Sequence, residues 1–264
     1  METGSEKILF EAADGIGVLT FNNPVRRNAM SLEMCEAAAR VVEHCSGSPE
    51  IKVLVLKGAG GKSFVSGADI AEFDKQRANA DQAEHYSKIS SQARAAMLAF
   101  EKPLIAAIQG YCIGGGMSLA LAADMRFATT ESQFGIPAAR LGLAYGFETT
   151  RRLTDLVGPA QAKQILFTGS RMSAAEARRI GLVNDVFTAE EFELEVHKIA
   201  ATICENAPLT VATSKFSVDK ATEQYSEADL DKLAEMVRVC FDSEDYREGR
   251  TAFIEKRSPR FSGQ

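Results

Sequence analysis

The chain reads as an α/β protein on three observations. Val53–Leu56 is a continuous apolar, β-branched run, and 104–109 and Met125–Thr129 read as further buried strands. Helix-compatible segments separate these runs, which is the alternation expected of βαβ-type crossovers. A glycine triplet, Gly114-Gly115-Gly116, joins the second run to the helix-like segment Met117–Ala123. Glycines at such a junction allow positive φ or close approach of the backbone. They also expose N–H groups at a helix start, where negative charge is favoured.

The elements follow in order. Ile16–Phe21 reads as a strand, paired in a hairpin with Ile8–Phe10 across Asp14-Gly15. Ser31 is a plausible N-cap for a helix from Leu32 to about Cys45. The Val53–Leu56 strand leads into a glycine-rich loop, Gly58 to Gly67. A long helix-compatible segment, Asp81 to Phe100, precedes the strand at 104–109, and Met125–Thr129 closes the series. After about Val186 the pattern becomes helical and rich in Ala, Glu, Asp and Lys. Ser226 opens one late helix ending near Cys240, and Ser243 caps another. The expected organisation is a core over residues 1–187 and a helical C-terminal region over 188–264.

Composition narrows the function. With 264 residues and 45% hydrophobic side chains, the chain can bury a sizeable core. A net charge of −6 argues against nucleic acid as a partner. No apolar segment reaches a membrane span's length, and the polar stretch Met1 to Lys7 does not read as a signal. Five cysteines without metal-ligand spacing fit free thiols in a reducing, cytoplasmic compartment. Neither a metal nor a cofactor beyond the substrate is expected.

Two familiar glycine motifs fail on spacing. Gly61-Lys62-Ser63 suggests a phosphate loop, but the glycine needed five residues earlier is Leu56. In the dinucleotide fingerprint the third glycine falls on Ser63. Ser66-Gly67-Ala68-Asp69 alone reads as a turn, and the glycine triplet alone as close helix–strand packing. Together they suggest two glycine-flanked strand ends, each offering one backbone N–H to a single carbonyl oxygen.

At this pair the chain resembles the crotonase, or enoyl-CoA hydratase/isomerase, superfamily. The similarity runs over nearly the whole length. It includes Asn23-Pro24 to Asn28-Ala29, Ser66-Gly-Ala-Asp-Ile70, Gln109-Gly-Tyr-Cys-Ile-Gly-Gly-Gly116, Ala123-Asp124, Gln133-Phe-Gly135 and Leu141-Gly142. It continues through Leu166-Phe-Thr-Gly169, Ala174-x-Glu-Ala-x-x-x-Gly-Leu-Val183 and the tail Glu244–Lys256. The resemblance implies a spiral of ββα units with a helical trimerisation region, binding acyl-coenzyme A as a trimer or dimer of trimers. It places the oxyanion-hole donors at Ala68 and Gly115. It implies coenzyme A contacts at Arg26, Arg27, Ala29, Ser66, Ala68, Asp69 and Ile70, with Phe253 and Lys256 meeting the coenzyme of a neighbouring subunit.

The same resemblance exposes a departure. Typical hydratases of the family carry two glutamates, one two residues after the glycine triplet and one after the proline that follows Phe-Gly. Here these positions hold Ser118 and Ala138, which cannot carry protons near neutral pH. Three readings stay open. The chain decarboxylates a malonyl-type thioester, with Tyr145 orienting the leaving carboxylate as in methylmalonyl-CoA decarboxylase-like members. Alternatively, the acid–base carboxylate has moved to Glu148, three residues beyond Tyr145. Or the protein binds acyl-CoA with little turnover. Ordinary hydration is expected to be very slow.

Overall fold

The computed structural model of the protein describes residues 1–69, 80–222 and 224–264; the side chains of residues 80–87 lie outside that description. Strands β1 (Ile8–Ala13) and β2 (Ile16–Phe21) form the expected hairpin, with Ala13 opposite Ile16. Its turn residues, Asp14 and Gly15, have φ of 52° and 84°, the positive-φ pair of a type I′ turn. Helix α1 (Leu32–Gly47) starts at Ser31, whose side chain accepts from the Met34 N–H.

From there the chain winds in ββα turns. The pairs are β3 (Val53–Gly58) with β4 (Ser63–Val65), β5 (Leu104–Ile108) with β6 (Tyr111–Ile113), and β7 (Met125–Thr129) with β8 (Gln133–Gly135). Each pair sends its first strand to a six-stranded sheet, β1-β2-β3-β5-β7-β10, and its second to a four-stranded sheet, β4-β6-β8-β9. The helices that close these turns are α2 (Ala80–Leu98), α3 (Gly115–Ala120) and α4 (Phe147–Thr168). Helix α4 is kinked at Gly158, just before Pro159. Short β9 (Met172–Ser173), α5 (Ala174–Arg179) and β10 (Asp185–Phe187) finish the spiral. The fold is the expected α/β, crotonase-like spiral.

The apolar strands are continuous because both sheet faces are covered. Leu54, Leu56, Leu104, Ala106 and Ile108 point into a core shared with α1 residues Met34, Ala38 and Val41. The alternate residues Val53, Val55, Ile105 and Ala107 pack under Phe192, Val196 and Ala200 of helix α6 (Ala189–Glu205). The end of β10 at Phe187 therefore coincides with the change in composition, while α6 beyond it belongs to the sheet's packing. Helices α7 (Pro208–Thr222), α8 (Glu227–Asp242) and α9 (Glu244–Glu255) follow. Ser226 starts α8 with a capping box to Asp229, and Ser243 starts α9. Among the described residues, no helix is long and apolar enough to cross a membrane.

Candidate active site

Two loops are zipped together beside the mouth of the small sheet. The Met30 N–H donates to the Gly67 carbonyl (2.8 Å), and the Asp69 N–H donates to the Met30 carbonyl (2.9 Å). This parallel bridge uses the groups on either side of Ala68 and turns the Ala68 N–H away from Met30. Asn28 anchors the outer loop. It is fully buried and left-handed (φ 56°). Its amide nitrogen donates to Ala59 O (3.0 Å) and Ser63 O (2.7 Å), while its Oδ1 accepts from the Asn23 N–H (2.9 Å). Asparagine tolerates left-handed backbone and supplies the donors and acceptor this corner needs.

The three glycines of the triplet serve different purposes. Gly114 adopts φ 57° and ψ −115°, a conformation that disfavours side chains. A Cβ on Gly116 would lie 2.0 Å from the Val65 carbonyl oxygen, so only glycine lets α3 press onto β4. Gly115 is tight against nothing: its Cβ would stand 3.5 Å from the Ala68 nitrogen. The Ala68 and Gly115 N–H groups thus sit side by side, and neither donates to an acceptor among the described residues. Two neighbouring donors left unspent can together hold one developing oxyanion. The far end of α3 is fixed by buried Arg126, which donates to Ala123 O (2.6 Å), Ala120 O (3.3 Å) and Leu182 O (2.8 Å). Burial lowers its pKa to about 10 despite nearby Asp124, so it remains charged at neutral pH.

Tyr145 meets this pair from the turn before α4. Its hydroxyl lies 3.9 Å from where a Cβ on Gly114 would be, close enough to the Ser118 side chain of α3 for that side chain to lower its pKa. Burial pushes the phenol above its ordinary value of 10, against the opposing effects of Ser118 and Arg94. Tyr145 is therefore a protonated hydroxyl at neutral pH. Ala138 is buried in the 3-10 turn Pro137–Leu141 and brings no polar group. Glu148 is occupied elsewhere, with its Oε1 3.1 Å from Arg151 and 3.0 Å from Arg152. Partial burial raises its pKa, but the two arginines outweigh that and hold it below 4.5. Arg94, on α2, donates to the Thr149 hydroxyl at 2.8 Å. Arg94 carries no motif. Its signal is only a cation set one and three residues from Ala93 and Met97, both fully buried.

The outer residues spread over two regions. Arg26 is exposed and approaches Asp69 at 3.5 Å, and Ser66 Oγ donates to the Arg26 carbonyl. Ala29 is buried beneath them. Arg27, left-handed with φ 53°, stacks its guanidinium over Tyr111, as does Arg171, at 5.4 and 5.1 Å. Ile70 lies outside the described residues. Phe253 lines an open, largely apolar groove of about 1000 Å³ with Val237, Phe241, Tyr246 and Phe261, and Lys256 caps α9.

Comparison with known proteins gives one answer over the whole fold. A family model described as enoyl-CoA hydratase/isomerase matches residues 11–264. A crotonyl-CoA hydratase of Syntrophomonas wolfei is 38% identical over 97% of this chain and 98% of its own. A short-chain-enoyl-CoA hydratase of Clostridium acetobutylicum is 35% identical over 95% of each. The crystal structure of an enoyl-CoA hydratase/carnithine racemase from Magnetospirillum magneticum superposes with a TM-score of 0.92 at 35% identity, covering 98% of this chain and 97% of that one. With a family model matching residues 11–264 and the same fold at a TM-score of 0.92, this chain belongs to the enoyl-CoA hydratase/isomerase family of the crotonase superfamily.

Proposed function

We propose that the protein binds an acyl-CoA thioester, stabilises its enolate between the Ala68 and Gly115 N–H groups, and decarboxylates a malonyl-type acyl group. One observation carries this reading. The two unspent donors are flanked by a hydroxyl pair, Tyr145 and Ser118, while the nearby carboxylate of Glu148 is tied to two arginines. Decarboxylation suits such a site because no base has to remove a proton from carbon. The bond from Cα to the carboxylate breaks, CO₂ departs, and its bonding electrons form the enolate. The thioester oxygen carries the resulting charge against the two N–H groups. Each donor of this type is worth about 10²–10³ in rate. Tyr145, kept protonated, orients the leaving carboxylate, and a proton from water then completes the product. Coenzyme A supplies binding and no chemistry, so no further cofactor is required.

The names of the relatives, hydratases in both sequence comparisons, favour ordinary enoyl-CoA hydration as a second reading. It requires an acid–base group at the acyl chain, a demand that Ser118 and Ala138 do not meet. Two steady-state assays separate the readings: hydration of crotonyl-CoA, and loss of CO₂ from malonyl- and methylmalonyl-CoA followed by mass spectrometry. We expect slow hydration and a decarboxylated product. Hydration at ordinary hydratase rates would overturn the proposal; binding of every thioester with no product would leave an acyl-CoA-binding protein.

Arg26, Arg27, Ala29, Ser66, Asp69 and Ile70 form the proposed coenzyme A path, with the arginines meeting its phosphates. The apolar groove of the C-terminal helices, with Phe253 86% and Ile254 77% exposed, supports self-association as a trimer or dimer of trimers. Phe253 and Lys256 would then reach a neighbour's coenzyme. Light scattering behind size exclusion tests the assembly, and a monomer would refute it. A cytoplasmic location fits five cysteines that are all free thiols.

A further inference from the structure

Arg94 is a half-buried cation with an unfilled set of donors. One of its nitrogens is spent on Thr149 Oγ1 at 2.8 Å, and Thr149 is itself buried. A guanidinium carries five N–H donors. Among the described residues no carboxylate pairs with Arg94, and Glu148, one residue before Thr149, is taken by Arg151 and Arg152. A partly desolvated cation is stable when something supplies the anion. Its charge is felt at Tyr145, as is the Ser118 side chain, and the Tyr145 hydroxyl lies 3.9 Å from where a Cβ on Gly114 would stand. Three elements, α2, α3 and the turn before α4, thus bring one cation and two hydroxyl groups together around Tyr145. Neutral acyl chains make no use of that set.

We propose that Arg94, with Tyr145 and Ser118, receives the free carboxylate of the acyl group and selects thioesters of dicarboxylic acids over neutral ones. The inference rests on the thioester reading above and adds a specificity residue to it. Arg94 acts in binding, not in the bond-breaking step. A carboxylate held by a cation is stabilised while it is charged, and that charge vanishes as CO₂ forms. Interactions made in the ground state and lost in the transition state lower KM without raising kcat. Loss of Arg94 should therefore raise KM for a malonyl-type thioester while kcat stays level or increases.

Calorimetric titration with succinyl-CoA and butyryl-CoA, a chain-matched pair not activated for decarboxylation, tests selection directly. The wild-type protein is expected to bind succinyl-CoA about tenfold or more tightly than butyryl-CoA, as one charge-assisted contact implies. Arg94→Gln should abolish that preference and leave butyryl-CoA affinity unchanged, whereas Arg94→Lys, which keeps the charge, should restore most of it. Equal affinity for the two ligands in wild type, or an undiminished preference in Arg94→Gln, would overturn the inference while the thioester site stands. If neither thioester binds, the coenzyme A reading fails and the inference with it. A fall in kcat for malonyl-CoA with unchanged KM in Arg94→Gln would also count against a binding role.

Discussion

Substituting alanine at successive glycines of the triplet separates catalysis from folding at this site. At Gly115 the added methyl would lie 3.5 Å from the Ala68 nitrogen and from Gly67, an ordinary contact distance, so the backbone need not move. The methyl would, however, stand beside the Ala68 donor, where it crowds an oxyanion bound there. An oxyanion needs both within about 2.7–3.1 Å. Displacing it from one donor costs on the order of 10²–10³ in kcat/KM, about 3–4 kcal/mol of transition-state stabilisation. Stability should hold or rise by about 0.5 kcal/mol, because alanine loses less backbone freedom than glycine in a helix. At Gly116 the same methyl would lie 2.0 Å from the Val65 carbonyl oxygen, so α3 and β4 must separate. Such overpacking costs about 1–3 kcal/mol or more, a fall in Tm of several degrees. The assays are kcat/KM on whichever thioester the wild-type protein consumes, and thermal unfolding by circular dichroism. Wild-type kcat/KM in Gly115→Ala, with Tm maintained, would refute the placement of the oxyanion between these donors. An unchanged Tm in Gly116→Ala would refute the packing argument.

Other substitutions probe the supports of the site. Asn28→Ala removes three buried or part-buried hydrogen bonds and orphans their partners; a loss of about 2–4 kcal/mol is expected in urea unfolding, and under 0.5 kcal/mol would contradict the anchoring role. Tyr145→Phe should lower kcat/KM about tenfold on the wild-type substrate, whereas Glu148→Gln should leave it nearly unchanged; the reverse order would restore Glu148 as the working group. For the half-exposed ion pairs of Glu148 we expect only about 0.5 kcal/mol of stability after solvent screening. Because the folded-state pKa of Glu148 lies below 4.5, that contribution is present above this pH and disappears as pH falls through the folded value, which pH-dependent unfolding of wild type and Glu148→Gln can follow. Cys35, Cys45 and Cys112 are buried, and burial pushes Cys45 up to about 11 and Cys112 higher still. Thiol labelling of the native protein should therefore stop at Cys204 and Cys240, with the other three reacting only on unfolding.

By itself the sequence determined what depends on neighbours along the chain. Asp14-Gly15 supplies two residues that tolerate positive φ, so the hairpin was readable. Ser31, Ser226 and Ser243 stand one residue before their helices because their hydroxyls satisfy N–H groups three residues on. The continuous apolar runs of β3 and β5 announced burial on both faces. The glycine spacing, read through family resemblance, pointed to Ala68 and Gly115. The engagement of Glu148 was also local: Arg151 and Arg152 lie three and four residues on, the spacing that joins side chains on a helix.

The tertiary structure alone decided what comes from different turns of the spiral. Asn28 bonds to carbonyls 31 and 35 residues away, and Arg94 to a hydroxyl 55 residues away. Ser118 read as a missing glutamate and Tyr145 as a separate candidate for orienting a carboxylate; packing makes them neighbours. Arg94 shows no pattern at all, since a lone arginine in a helix is ordinarily solvated, and only the folded chain half-buries it and sets it against Thr149 of α4. The helical tail is a similar case. Its composition marked a boundary at 187, but α6 lies on the sheet because Phe192, Val196 and Ala200 cover strand residues from Ile16 to Phe127, far earlier in the chain. Local conformation is a matter of short-range sterics and caps. The chemistry of this site depends on which distant side chains burial forces together, and no linear spacing encodes that.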